Sequence, residues 1–216
     1  MSAPAADAGR RADAQRNRRL LLEAAATAFA EGGIDVSAGE IARRAGVAKG
    51  TLFRHFPTKH DLLVAVLIDR MAQLQALIAE VSSQSPPGLA AVAEIMARGA
   101  AILASDLSFF DAAMAGVAVD GDLLREKLAL EVALDGLVSA AQACGEVRGD
   151  VRGTDLAILM MAATNTCAPT RAIRPDLYRR YLALMIDGLR PGTVTELPVA
   201  AMSGVEGCGL APPVSR

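Results

Sequence analysis

Apolar residues recur at helical spacing along nearly the whole chain. Between residues 59 and 82 they fall three or four positions apart, at Leu62, Leu63, Val66, Leu67, Leu74 and Ile78. Alternation of β-branched residues, which a half-buried strand requires, is nowhere sustained, and alanine and leucine dominate. The pattern predicts an all-α fold. We predict helices over residues 13–31, 37–45, 48–56, 59–82, 89–104, 106–119, 122–144, 154–167 and 175–189.

Two of these helices are short and are joined by a tight turn. Ser37 and Glu40 stand three residues apart, which is the spacing of a capping box, and Gly46 is a typical residue just past a helix end. A second short helix follows, and the pair Thr58 and Asp61 begins the next one in the same way. Two short helices around a glycine-containing turn form a helix-turn-helix, whose second helix can enter a DNA major groove.

The pattern divides the chain into four segments. Residues 1–12 are rich in alanine, proline and glycine, which predicts a flexible N-terminal arm. We expect a helix-turn-helix DNA-binding domain over residues 13–60 and a second helical domain over residues 61–190. Proline and glycine interrupt every pattern in residues 191–216, which predicts a disordered tail.

The charge of the chain is unevenly distributed. The net charge of the 216 residues is −2, which by itself is unfavourable for DNA binding. Residues 1–60, however, contain ten lysines and arginines against six carboxylates, a net charge of +4. The remaining 156 residues have a net charge of −6. The positive field therefore lies in the segment that contains the helix-turn-helix, as phosphate binding requires.

Several classes of protein are disfavoured. Cys144, Cys167 and Cys208 are far apart, so neither a disulfide framework nor a zinc site is expected. No phosphate-binding glycine pattern and no catalytic constellation occurs, and we expect neither an enzyme, nor a cofactor, nor a metal. No signal segment is recognised and the apolar run 156–163 is too short to cross a bilayer, which favours a cytoplasmic protein without membrane contact. A helical scaffold protein is the alternative, and a redox sensor acting through Cys167 is less favoured.

The N-terminal part of the chain resembles the TetR (tetracycline-repressor-like) family of transcriptional regulators. The resemblance extends from Arg16 to about Val66 and rests on Leu21, Leu22, Ala25, Phe29, Gly32, Gly33, Ser37, Ile41, Ala42, Ala45, Gly46, Val47, Lys49, Gly50, Thr51, Leu52, Phe53, His55, Phe56, Lys59, Leu62 and Leu63. It implies a ligand-responsive homodimer that binds palindromic double-stranded DNA, most often as a repressor. It also implies that the helical domain over residues 61–190 is the ligand-binding and dimerisation domain.

The second short helix contains the predicted DNA contacts. Lys49 can donate to guanine O6 and N7, and Gly50 allows close approach of the backbone. Leu52 and Phe56 are expected to face inward. The resemblance implies that phosphates contact Thr51, His55 and Lys59. The whole predicted DNA-binding set is Arg16, Ser37, Ala48, Lys49, Gly50, Thr51, Phe53, Arg54, His55 and Lys59.

Some of these residues have simpler interpretations. His55 can serve only as a cation at a helix C-terminus, and Arg43 and Arg44 are better explained as solvated surface than as contacts. Phe53 stands where many members of the family have tyrosine, so a phosphate-directed hydroxyl is absent here. Nor do Ala38 and Gly39 provide polar side chains at the start of the first short helix.

The C-terminal half contains two further predicted sites. The resemblance implies a small-molecule pocket, with candidates Met96, Phe109, Phe110, Met114, Met160, Met161 and Asn165, because methionines adapt to varied apolar shapes. Thr164 is a second possible polar anchor. A four-helix dimer interface is predicted at Leu156, Leu159, Met160, Tyr178, Tyr181, Leu182, Met185 and Leu189. The alternative in each case is that these residues are only the core of the chain itself.

Overall fold

The computed structural model describes residues 4–33, 35–104, 121–170, 172–192 and 195–202. Its α-helices are α1 (Pro4–Gly32), α2 (Ala38–Arg44), α3 (Lys49–His55), α4 (Lys59–Gln84), α5 (Leu89–Ala104), α6 (Gly121–Ala143), α7 (Gly153–Thr166) and α8 (Tyr178–Asp187), with a 3-10 turn at Ala168–Thr170. The described residues contain no β-strand. The predicted all-α fold is confirmed. The helix predicted over residues 106–119 lies outside the described residues.

The prediction for the N-terminus is wrong, because α1 begins at Pro4 and not near residue 13. The segment predicted as a flexible arm is therefore largely helical. Its alanines, together with the arginines and Gln15 that follow, have high helix propensity, and proline is favoured in a first helical turn. The last helix begins later than predicted, whereas α1 begins earlier. Residues 175–177 form turns, and α8 begins only at Tyr178.

The start of α7 also differs from the prediction, which began this helix at residue 154. The N-cap is Arg152, whose N–H donates to Asp155 Oδ2 at 2.8 Å. The N–H of Gly153 donates to Asp135 Oδ1 of α6 at 2.6 Å. A Cβ at Gly153 would lie 2.5 Å from the backbone nitrogen of Asp135. This close approach requires glycine and fixes α7 against α6.

The described residues form two compact units that divide inside α4, the first ending at Asp69 and the second beginning at Arg70. The first unit buries one apolar face from each of its helices, at Leu21, Leu22, Ala25, Phe29, Ile41, Leu52, Phe56, Leu62 and Val66. In the second unit α7 contacts α5, α6 and α8. Its core contains Leu74, Ile78, Ile95, Met96, Leu123, Leu134, Leu156, Met160 and Leu182.

Helix α4 is long and apolar enough to cross a membrane by the measure of length and composition alone. Half of its most apolar stretch is buried inside the protein. Core helices of folded domains share this property, and α4 contributes buried side chains such as Val66 and Leu77 to the two units. Its hydropathy is therefore accounted for by packing.

Part of the segment predicted as a disordered tail is held against the second unit. The backbone carbonyl of Thr195 accepts a hydrogen bond from Arg148 Nη2 at 2.8 Å. The carbonyl of Met202 accepts one from Thr154 Oγ1 at 2.9 Å. Arg148 is itself fixed by Asp150, whose two carboxylate oxygens each lie 2.6 Å from its guanidinium. The prediction is therefore wrong for residues 195–202, and residues 203–216 lie outside the described part.

Candidate DNA-binding site

Local capping interactions build the helix-turn-helix. Ser37 Oγ accepts a hydrogen bond from the N–H of Glu40 at 3.2 Å and begins α2, as predicted. Gly46 has a φ of +68°, a left-handed conformation that is strained for other residues, and it turns the chain after α2. The N–H of Val47 donates to Ala42 O at 3.0 Å, which closes the turn. Helix α3 begins two residues later, at Lys49.

The inner face of α3 anchors it to the first unit. Leu52 and Phe56 are buried, which confirms the inward orientation predicted for both. Beyond α3 the next helix starts with a reciprocal capping box. The N–H and hydroxyl of Thr58 donate to Asp61 Oδ2 at 2.9 and 2.8 Å, and the N–H of Asp61 donates to Thr58 Oγ1 at 3.1 Å. Helix α3 is thus fixed along one face and at its C-terminal end.

The outer face of α3 is open to solvent. Lys49, Gly50, Phe53 and Arg54 are exposed, and they occupy adjacent i and i+4 positions on one side of the helix. Lys49 Nζ lies 5.8 Å from the centroid of the Phe53 ring, which is 39% exposed. Arg54 Nη2 donates to Thr51 Oγ1 at 3.3 Å. These contacts arrange cationic groups and one apolar ring on a surface narrow enough for a groove.

The structure places the other predicted contacts around this face. Ala48 and Ser37 are exposed, and Thr51, His55 and Lys59 are half-buried. Arg16 is exposed on α1, where its Nη2 lies 3.3 Å from Asp13 Oδ1. The roles of these residues at DNA stay predictions.

Carboxylates are absent from the sequence between Ile41 and His60, although that stretch contains five lysines and arginines. Two of the cations are neutralised by residues outside it. Arg43 donates to both Glu40 carboxylate oxygens, at 2.9 and 2.7 Å, and Arg44 donates to Glu40 at 2.8 Å and to Glu31 at 2.5 Å. Among the residues that the structure describes, no carboxylate lies within ion-pair distance of Lys49, Arg54 or Lys59. The unneutralised cations therefore lie on α3 and directly after it.

The two guanidinium groups beside Glu40, Arg43 first and Arg44 second, lower the pKa of its carboxyl to about 2. Because this pKa is below the unfolded value, the carboxylate stabilises the fold above pH 4.5 and loses that effect as the pH falls towards 2. We expect Glu40→Gln to lower the melting temperature at pH 7 and to match the wild type at pH 2. Circular dichroism melts across this range measure the difference, and a constant difference at every pH contradicts the assignment.

Comparisons with known proteins agree with this geometry. Residues 21–66 match the family described as "Bacterial regulatory proteins, tetR family", and residues 90–191 match "Transcriptional regulator SbtR-like, C-terminal domain". An uncharacterized HTH-type transcriptional regulator of Mycobacterium bovis is 31% identical over 146 residues, which are 66% of this chain and 76% of the relative. The chain belongs to the TetR family of transcriptional regulators. Proteins of this family bind DNA and small molecules and act as dimers.

Two solved structures share the fold of this TetR-family chain. A TetR transcriptional regulator of Streptomyces coelicolor is 34% identical, with a TM-score of 0.64 over 82% of this chain and 99% of that one. A TetR regulatory protein of Mycobacterium vanbaalenii is also 34% identical, with a TM-score of 0.62 over 84% and 99% of the two chains. These relatives are regulators and not enzymes.

The residues predicted for a small-molecule pocket lie in different settings of the second unit. Met96 and Met160 are buried, and the Met160 sulfur lies 3.0 Å from the position of a Cβ at Gly99. Met161 and Asn165 are half-buried. The Thr164 hydroxyl donates within its own helix, to Met160 O at 2.9 Å. Phe109, Phe110 and Met114 lie outside the described residues.

Two grooves open on this unit, and neither is lined by the predicted pocket residues. One, of about 290 Å³, lies between α7, α8 and the C-terminal segment and is lined by Ile158, Leu159, Met185 and Leu197, among others. The other, of about 370 Å³, is lined by residues of α4 and α5 that include Glu80 and Arg98. The small-molecule pocket therefore stays a prediction.

The prediction of the TetR-type dimer interface needs a correction. Five of its eight side chains are buried in the core of the chain itself and have no surface to offer a partner: Leu156, Met160, Tyr178, Leu182 and Leu189. Leu159 and Met185 are half-buried, and Tyr181 is 41% exposed. The apolar stripe of α8 that the sequence shows most clearly is its inner face.

Two exposed apolar residues of α7 and α8 were not predicted from the sequence. They are Ile158 on α7, 43% exposed, and Leu184 on α8, 59% exposed. We call these two residues and Tyr181 the outer apolar face, since Ile158 lines one groove with Met185, which lies one turn after Tyr181 on α8. The signal was present, because α7 is apolar on all sides and Leu184 follows Tyr181 by three positions. Only part of the circumference of α7 can face the interior of the same chain, so some of its apolar residues must be exposed.

In the described part of the chain, no group of three or more histidines, cysteines or carboxylates comes together. Cys144 is exposed and Cys167 is buried, and both are free thiols. Cys208 lies outside the described residues.

Proposed function

We propose that this protein is a sequence-specific transcriptional repressor of the cytoplasm that binds a palindromic operator as a homodimer and is released by a small molecule. The observation that carries the proposal is the outer face of α3. It presents Lys49, Gly50, Phe53 and Arg54 on a capped helix-turn-helix, with carboxylates absent from the whole stretch between Ile41 and His60.

The proposed contacts divide into two kinds. Lys49 donates to the O6 and N7 acceptors of guanine in the major groove, where Gly50 allows the backbone to come close. Thr51, His55, Lys59 and the α2 cap at Ser37 contact phosphates, which fix the position of the protein on the duplex but read no sequence. Arg54 contacts a base or a phosphate. The apolar ring of Phe53 supports Lys49 and can pack on a thymine methyl group.

A second copy of the chain is needed for useful specificity, since one seven-residue helix reaches few bases. We propose that two copies associate through the outer apolar face, with Ile158, Tyr181 and Leu184 at its centre. A two-fold axis through this face relates two recognition helices and therefore implies an operator with inverted repeats.

Leu184→Glu is expected to raise the dimer dissociation constant at least about tenfold, because each interface would bury two unpaired carboxylates. Sedimentation equilibrium of the full chain measures this constant. The matched control is Ile173→Glu, since Ile173 is 82% exposed but lies in the turn before α8. If both variants dimerise as the wild type does, the outer apolar face is not the interface.

The proposed release by a small molecule requires a ligand that prefers the state with low DNA affinity. A 100-fold preference corresponds to about 2.7 kcal/mol of coupling free energy. Support for this part comes from the family, and from the continuous helix α4, which contributes residues to the two compact units. Met96, Met160, Met161 and Asn165, with Phe109, Phe110 and Met114, remain the proposed pocket residues.

The test is a mobility-shift titration of the full chain on the DNA upstream of its own gene, with a random duplex as the competitor. We expect one discrete complex that survives an excess of competitor and weakens steeply as the salt concentration rises. Equal affinity for the two duplexes contradicts an operator in that DNA. Failure to bind any duplex at low salt contradicts the DNA-binding function itself.

A further inference from the structure

Arg16, Arg18 and Arg19 lie close together on α1, and the contacts of Arg18 differ from those of the other two. Arg16 Nη2 lies 3.3 Å from Asp13 Oδ1, and Arg19 Nε lies 3.8 Å from Glu23 Oε1. Each of these two arginines therefore has a carboxylate partner at an exposed position. Among the described residues, no carboxylate lies within ion-pair distance of Arg18. Arg18 is therefore the arginine of this group that contributes a full positive charge.

The position of Arg18 on α1 directs it towards the recognition helix. Leu21 and Leu22, three and four residues further on, are both buried in the core of the first unit. Because residues at this spacing share one helix face, Arg18 lies at the edge of the face that packs on the helix-turn-helix. Its guanidinium carbon lies 5.5 Å from the centroid of the Phe56 ring.

Phe56 is the residue that ends α3. It directly follows His55, it is buried, and its N–H donates to Leu52 O at 2.8 Å. The ring centroids of His55 and Phe56 are 6.3 Å apart. The guanidinium of Arg18 thus lies at the C-terminal end of the recognition helix, where the helix dipole favours a cation.

We propose that Arg18 binds a DNA phosphate and positions the C-terminal end of α3, an assignment that rests on the proposed DNA-binding function. A guanidinium that stacks on an aromatic ring keeps its N–H groups in the plane of the group, where they can donate to two phosphate oxygens. The face of the Phe56 ring attracts the guanidinium of Arg18 and keeps it near the C-terminal end of α3 before DNA arrives. Lysine offers the charge but neither the planar stack nor the paired donors.

The alternative is that Arg18 only covers Phe56 and contacts no phosphate, and this alternative predicts a different result. Loss of the cover would lower the stability of the fold and reduce DNA affinity only in proportion to the fraction unfolded. It would leave the salt dependence of binding unchanged. A phosphate contact releases counterions, so its loss makes the plot of log K against log salt concentration shallower.

The experiment measures fluorescence anisotropy of a labelled duplex selected by the wild-type protein from a random library, between about 50 and 200 mM KCl. For Arg18→Ala we expect the slope to become shallower by about 2, since a dimer loses one phosphate contact in each half, with at least about a tenfold loss of affinity at the lowest salt concentration. Arg18→Lys should keep the slope within about 0.5 of the wild type and bind more weakly. Arg19→Ala, which removes an arginine of the same helix already paired with Glu23, is the matched control and should change the slope less than Arg18→Ala.

The outcomes separate this assignment from the proposed function. A wild type that selects no duplex overturns both. A wild type that binds with a steep slope, together with Arg18→Ala that keeps this slope, overturns only the assignment to Arg18. Thermal melts of each variant show whether a loss of affinity follows from unfolding. Arg18→Lys provides a second comparison in which the side chain remains long enough to cover Phe56.

Discussion

Lys49→Ala is expected to weaken binding to the specific duplex by about 100-fold, which corresponds to about 3 kcal/mol for two lost base contacts in the dimer. Lys49 is the first residue of α3, it is exposed, and its ammonium group lies over the Phe53 ring. The affinity of the Lys49→Ala protein for a random duplex should fall much less, because nonspecific binding depends mainly on phosphates. Parallel anisotropy titrations on the specific and the random duplex measure the two affinities.

Arg43→Ala is the control for this prediction. Arg43 also belongs to the helix-turn-helix, but both Glu40 carboxylate oxygens accept hydrogen bonds from its guanidinium. Its removal should change specific affinity by less than about threefold, as expected for an exposed ion pair away from the groove. A Lys49→Ala protein that retains the full ratio of specific to random affinity would show that Lys49 reads no base.

Gly153→Ala is expected to destabilise the fold by about 3 kcal/mol, at the upper end of overpacking effects. The added methyl group would lie 2.5 Å from the nitrogen of Asp135 and 2.7 Å from the carbonyl carbon of Leu134. Both are backbone atoms of α6, so a side-chain rotation cannot relieve the clash. The N–H of Gly153 would also be displaced from its 2.6 Å hydrogen bond to Asp135.

Gly136→Ala is the matched control on α6. No atom outside its own helix backbone and chain neighbours lies within 4 Å of the Cβ position at Gly136, and alanine is favoured over glycine inside a helix. We expect a gain of about 0.5 to 1 kcal/mol for this variant. Urea unfolding of both proteins at one fixed concentration measures the free energies, because the stability of a dimer depends on concentration. If the midpoint of urea unfolding is the same for Gly153→Ala and for the wild type, α6 and α7 are not packed as described.

The helix-turn-helix could be predicted from the sequence because its determinants are local. Ser37 caps α2, Gly46 turns the chain, and Thr58 with Asp61 starts α4, all through contacts between residues at most five apart. Leu52 was correctly placed in the core because the apolar spacing of so short a helix leaves one inner face.

The remaining features depend on contacts between distant residues, which periodicity does not reveal. Thr154 is a favourable capping residue, yet α7 begins earlier because Asp135 of α6 holds the N–H of Gly153. Residues 195–202 read as a tail in composition, but Arg148 and Thr154 hold their backbone.

The predicted dimer interface names mostly interior residues for a related reason. Where two helices carry apolar residues on more than one side, periodicity finds the stripes but does not say which stripe faces the interior. The packing of α8 shows that Leu182 lies inside and Leu184 outside. The distinction between Arg16 and Arg18 likewise came from partners in space, since both are exposed arginines of the same helix.

The central claim is that two copies of α3 read a palindromic sequence, and selection of bound duplexes from a random library by the full-length protein tests it most directly. We predict enrichment of duplexes with two inverted half-sites whose centres lie about one helical turn, or a multiple of it, apart. The Lys49→Ala protein, selected in parallel, should enrich no such repeat. A library that remains random after repeated rounds with the wild type would contradict the claim and favour a helical scaffold protein instead.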